Sequence, residues 1–92
     1  MRILGYIDHD RIKITVFSDN NKVIVQCEDG LCQQTYKFRS GGVIDDLASI
    51  KAMMDEPFME SLEAQLQAMR QTRHQALQRI TASFEDEFDV II

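Results

Sequence analysis

The hydrophobic period of this 92-residue chain changes once, at Ser40-Gly41-Gly42. Before it, apolar residues alternate with a period of two; after it, they recur every three to four positions. Alternation places successive side chains on opposite faces of a strand, whereas the longer period builds one apolar stripe along a helix. The chain therefore predicts an α+β fold in one domain over 1–92: a four-stranded antiparallel β-meander over 1–40, a helical part over 43–83 with a short helix and a long C-terminal one, and an acidic-apolar tail over 84–92. A chain of this length supports a single modest core.

Four runs rich in β-branched residues, RILGYI, RIKITVF, KVIVQC and CQQTYKF, are separated by the turn-forming stretches DHD, SDNN and EDG. A turn at Asn20-Asn21 pairs Phe17 with Ile24, Val16 with Val25 and Ile14 with Cys27. A turn at Asp29-Gly30 sets Cys27 opposite Cys32, Val25 opposite Gln34 and Val23 opposite Tyr36. The two registers agree on one apolar face: Ile12, Ile14, Val16, Val23, Val25, Cys27, Cys32, Tyr36 and Phe38, with Ile3 and Ile7 by extension. A slip of one residue would exchange the faces, so this set is expected to form the core.

After the diglycine, VIDDLASIKAMMDE predicts a short helix with Asp45 as its cap and Leu47, Ile50 and Met53 or Met54 on one side. Pro57 then stands where a first helical residue needs no N–H, opening a helix that runs to about residue 83. About 26 residues at roughly 1.5 Å each make a rod of about 39 Å, against about 26 Å for an eight-residue strand. The rod is expected to overhang its sheet. Its apolar positions, Leu62, Leu66, Met69, Ala76 or Leu77, Ile80 and Phe84, approach a coiled-coil seam interrupted by Arg73.

Little here has the pattern of a reaction centre. With the Asp29-Gly30 turn, Cys27 and Cys32 would be near enough for a cross-strand disulfide, but their spacing is neither that of a redox pair nor that of a zinc site, and packing is the expected role. Asp8-His9-Asp10 occupies a tight turn, where Asp serves the backbone. His74 has no acidic residue at helical spacing to complete a metal site. Nucleophile elbows, phosphate loops and dinucleotide fingerprints are absent from the sequence. The chain is expected to be no enzyme, with no cofactor, no metal and no catalytic residues. No apolar run reaches the roughly 18 residues of a membrane span and the N-terminus lacks a signal-peptide pattern, so the expected location is cytoplasmic.

The charge is divided. Residues 1–40 carry six basic and five acidic groups, and residues 41–92 carry four basic and ten acidic, for a formal net charge of −5. That balance disfavours non-specific duplex binding. The second sheet face nevertheless mixes Leu4, Tyr6, Phe17, Ile24 and Leu31 with Arg2, Arg11, Lys13, Lys37 and Arg39, more large apolar groups than a solvated face carries. We expect a small non-enzymatic binding or scaffold protein acting as a homodimer through its long helix and this face, with Leu4, Tyr6, Phe17, Ile24, Leu31, Leu66, Met69, Leu77, Ile80, Phe84 and Phe88 as interface residues. The tail FEDEFDVII matches the same face in charge and apolarity. A further protein partner is compatible with this surface; no membrane partner is expected.

The order of elements over residues 1 to 56, four antiparallel strands followed by a helix, resembles one PUR repeat. That resemblance implies single-stranded nucleic-acid binding on the sheet. The residues of this face suited to it are Tyr6 and Phe17 for stacking on bases, and Arg2, Arg11, Lys13, Lys37 and Arg39 for tracking phosphates.

Overall fold

Two consecutive asparagines, Asn20 and Asn21, both adopt positive φ, at 46° and 62°. This is what a two-residue type I′ hairpin turn requires, and Asn tolerates it better than other side-chain-bearing residues. In the computed structural model, which describes the backbone of residues 1–88 and the side chains of residues 1–84, this turn joins β2 (Lys13–Asp19) to β3 (Lys22–Asp29). The register is the one expected, with Phe17 opposite Ile24, Val16 opposite Val25 and Ile14 opposite Cys27. β1 (Arg2–Ile7) and β4 (Cys32–Arg39) complete an antiparallel meander in the order β1-β2-β3-β4.

The β3–β4 hairpin corrects the sequence reading. Its turn is Gly30-Leu31, so Asp29 pairs with Cys32, Cys27 with Gln34 and Val25 with Tyr36. An Asp29-Gly30 turn of type I′ would need positive φ at both residues, whereas only Gly30 has it, at 65°, which suits glycine as the first residue of a II′ turn. The displacement between the two registers at Cys27 is two residues, an even number, and side chains keep their faces.

A second correction lies in β1. Ile3 is opposite Phe17 and Gly5 opposite Val16, which leaves Leu4 in a bulge. Ile3 therefore moves to the outer face, half exposed at 51%, while Leu4 packs against the core. Arg2 comes opposite Ser18, on the same side of the sheet as the core. Glycine inside a strand marks such bulges. Here it also admits α1: a Cβ on Gly5 would stand 2.7 Å from Leu47 Cδ2.

Helix α1 (Leu47–Met53) is capped by Asp46, not Asp45. The Asp46 carboxylate accepts from Ser49 N at 2.9 Å, and the Ser49 hydroxyl accepts in return from Asp46 N at 3.0 Å. Accepting that backbone N–H holds the Asp46 carboxyl below its usual range. Asp45 instead accepts from Gly41 N. Helix α2 (Glu56–Phe88) opens with Asp55, which accepts from Phe58 N at 3.0 Å, so Pro57 is the second helical residue. It runs past residue 83 through Phe88, and the expected separate tail is helical that far. Its 33 residues span roughly 50 Å.

Ile50, Leu62 and Leu66 are buried against Ile14, Val16, Val23, Val25, Cys27 and Cys32. Tyr36 ties β4 to α2, its ring 5.4 Å from that of Phe58 and its hydroxyl 3.3 Å from Gln65 Oε1. The molecule measures 61 × 28 × 19 Å with a radius of gyration of 18.2 Å, against about 12 Å for a compact domain of this length. Gly5→Ala is expected to cost about 1–3 kcal/mol in urea unfolding through overpacking onto Leu47. The cost should shrink in a Leu47→Ala background; a strictly additive double-mutant cycle would mean the two do not press on each other.

Candidate interaction surfaces

Two ion-pair groups steer α2 over the sheet. Glu63 lies 3.2 Å from both His9 Nε2 and Arg11 at the β1–β2 turn, and Arg70 pairs with Asp29 at the end of β3. In a meander these two turns occupy the same end of the sheet. The helix crosses the core face and leaves it beside the β3–β4 hairpin. Beyond Arg70 almost every described residue is exposed.

The stripe that seats the helix does not stop there. At roughly 3.6 residues per turn, Ile80 falls about five turns beyond Leu62, on the same side, with Leu77 and Phe84 beside it. Leu62 and Leu66 are buried at 1% and 0% exposure, whereas Leu77, Ile80 and Phe84 are open at 45%, 55% and 57%. Of the expected helical interface residues, Leu66 and Met69 thus belong to the chain's own core, and the side chain of Phe88 lies outside the described residues. Where the helix leaves the sheet, Leu31, Cys32, Met69, Thr72 and Arg73 line an open groove of about 610 Å³. Leu31, 78% exposed at the hairpin tip, faces this groove.

The outer sheet face is arranged in cross-strand rows. One row runs Ile3, Phe17, Ile24, Lys37, and the next Tyr6, Thr15, Gln26, Thr35. Neighbours within the rows leave Ile24 and Thr15 only 6% and 5% exposed, so the exposed apolar area falls mainly to Ile3 and Tyr6. Ile3 escaped the sequence reading; Gly5 was the available signal for the bulge that exposes it. Of the expected cations, Lys13, Lys37 and Arg39 share this face and Lys22 joins them, opposed by Asp19 and Glu28. Arg2 registers on the other side and Arg11 reaches Glu63. Leu4 is on the core side.

The groups considered for chemistry are engaged structurally. His9 Nδ1 accepts the backbone N–H of Arg11 and of Ile12, each at 3.2 Å, which fixes its proton on Nε2 facing Glu63. It clasps the turn. His74 is exposed on α2. Among the described residues no group of three or more His, Cys, Asp or Glu is placed to hold a metal, and no helix is long and apolar enough to cross a membrane. Comparison with known proteins finds no matching family, no matching curated protein and no matching solved structure.

Cys27 and Cys32 are buried free thiols. In the observed register they are diagonal neighbours, about 7–8 Å apart, beyond disulfide reach without backbone movement. Burial pushes the Cys27 thiol from 9.0 up to about 11 and also raises the Tyr36 hydroxyl, with a smaller contribution from the nearby Cys27. Above pH 9 the unfolded thiol ionises while the folded one keeps its proton, so stability fully present below pH 9 is lost as pH rises toward about 11. Urea unfolding across this window should show a steeper loss for the wild type than for Cys27→Ala. Equal slopes would mean the thiol is not shielded from water.

Proposed function

We propose that this chain is a small non-enzymatic binding or scaffold protein that works as a homodimer, joined through the projecting part of α2 with the outer sheet face as a second contact. One observation carries the reading: the apolar stripe that seats α2 on its own sheet continues beyond the sheet with Leu77 and Ile80 about half exposed. A helix that projects an apolar stripe into water gains by burying it, at about 25 cal/mol per Å². The elongated shape supports the same reading, because a lone chain leaves this rod without a layer to pack on.

A second reading, from the PUR-like order of elements, is single-stranded nucleic-acid binding on the outer face. It is favoured by Tyr6, 58% exposed on the same face as Lys13, Lys37 and Arg39. Two of its five expected cations lie elsewhere, and Asp19 and Glu28 oppose the remainder. The homodimer reading stands first.

Sedimentation equilibrium at micromolar concentration should give twice the chain mass of 10.6 kDa. Leu77→Glu should reduce it to one chain with the circular dichroism unchanged, and Phe17→Glu should weaken association. A wild-type monomer, or a dimer indifferent to both changes, would end this reading. Fluorescence anisotropy with labelled oligonucleotides at low salt tests the other: no binding at tens of micromolar removes it, and binding abolished by Lys37→Glu would promote it.

A further inference from the structure

The charges along α2 are segregated. Between Glu63 and Glu85 every charged residue is basic, namely Arg70, Arg73 and Arg79, and then Glu85, Asp86 and Glu87 follow in succession. Carboxylates at a helix C-terminus oppose the macrodipole, and the last turn of α2 contains no basic residue to offset them. In an isolated chain this helix end is electrostatically unfavourable. Side-by-side parallel pairing of two such helices would worsen it, setting arginines against arginines and carboxylates against carboxylates. Antiparallel pairing sets the acidic end of each helix against the basic stretch of the other.

We propose that a second copy of the chain packs antiparallel on the projecting part of α2, with Leu77 of each copy facing Ile80 of the other across a two-fold axis. This rests on the homodimer reading above and specifies its geometry. Leu77 and Ile80 are three residues apart on the stripe, the spacing of alternate seam positions in a coiled coil, which face one another when the helices run in opposite directions. The same register carries outward from the axis. Along the helices Arg73 falls level with position 84 of the other copy and Arg70 level with position 87, so the basic stretch meets the acidic end. One step further, the end of the second copy's helix reaches the level of Met69, where the open groove beside Leu31 and Thr72 begins. The groove thus receives the end of the partner helix. The two-fold relation is closed: each copy supplies one basic stretch, one acidic end and one groove, so the pairing stops at two.

The sheets then stand at opposite ends of a two-helix rod, which a distance measurement reads directly. Glu60 is exposed on α2 over the sheet, away from the seam. A spin label on Glu60→Cys, with Cys27 and Cys32 buried, should report an inter-label distance of about 55 Å or more in the dimer by pulsed dipolar spectroscopy, at roughly 1.5 Å per residue. Ile80→Glu should abolish the dipolar signal while leaving the monomer folded. A distance under about 35 Å would mean parallel pairing and would overturn the geometry while leaving a homodimer in place. A long distance untouched by Ile80→Glu would move the interface off this seam, and the proposed geometry would fall with it. Absence of any dipolar signal together with a monomeric mass would instead bring down the homodimer reading itself.

Discussion

Leu62 and Leu66 share one buried cluster with Val16 and Val25 of the sheet, and the rest of the molecule is arranged around that cluster. All four are buried almost completely. They meet because the Asn20-Asn21 turn fixes which face of β2 and β3 is apolar, and because a three-four spacing brings both leucines to one side of α2. The contact fixes which face the helix covers. Glu63 and Arg70, engaged at two turns along one end of the sheet, set the direction in which it crosses. Exposed ion pairs contribute little stability, so their role is orientation.

Once the direction is set, length decides the rest. A sheet whose longest strands have eight residues cannot underlie a helix of 33, so the distal part of α2 extends into solvent with the stripe unbroken. The projecting segment combines exposed Leu77 and Ile80 with a basic stretch and an acidic end. Apolar area supplies the gain from association, and the segregated charges select the orientation. These are different tasks for different residues on one helix.

The outer sheet face is quieter than its composition suggests. Ile24 is nearly as inaccessible as a core residue although, among the described residues, no layer covers it, because Phe17 and Lys37 flank it in the same row. Lysine stems shield apolar neighbours while the charged ends remain in water. The bulge at Leu4 carries Arg2 away from this face and substitutes Ile3, and Arg11 turns to Glu63. What remains is a mixed surface with Tyr6 as its most exposed aromatic.

Alternation, β-branching and Asn-Asn turn chemistry, all local properties, were enough to determine the α+β class, the meander, the β2–β3 register and the core face; the three-four spacing likewise foretold a helix longer than its sheet. The β3–β4 register was misjudged by two residues because Asp-Gly and Gly-Leu are both workable turns, and parity is blind to an even slip. The bulge at Leu4 goes with a contact between distant segments, Leu47 over Gly5, whereas the capping by Asp46 is local, a reciprocal pair with Ser49 for which the neighbouring Asp45 is chemically just as suited. Which part of the helical stripe is core and which is free to bind was likewise a tertiary decision. Leu66 and Ile80 have the same apolar character and spacing, and only the position of the sheet edge makes one buried and the other available.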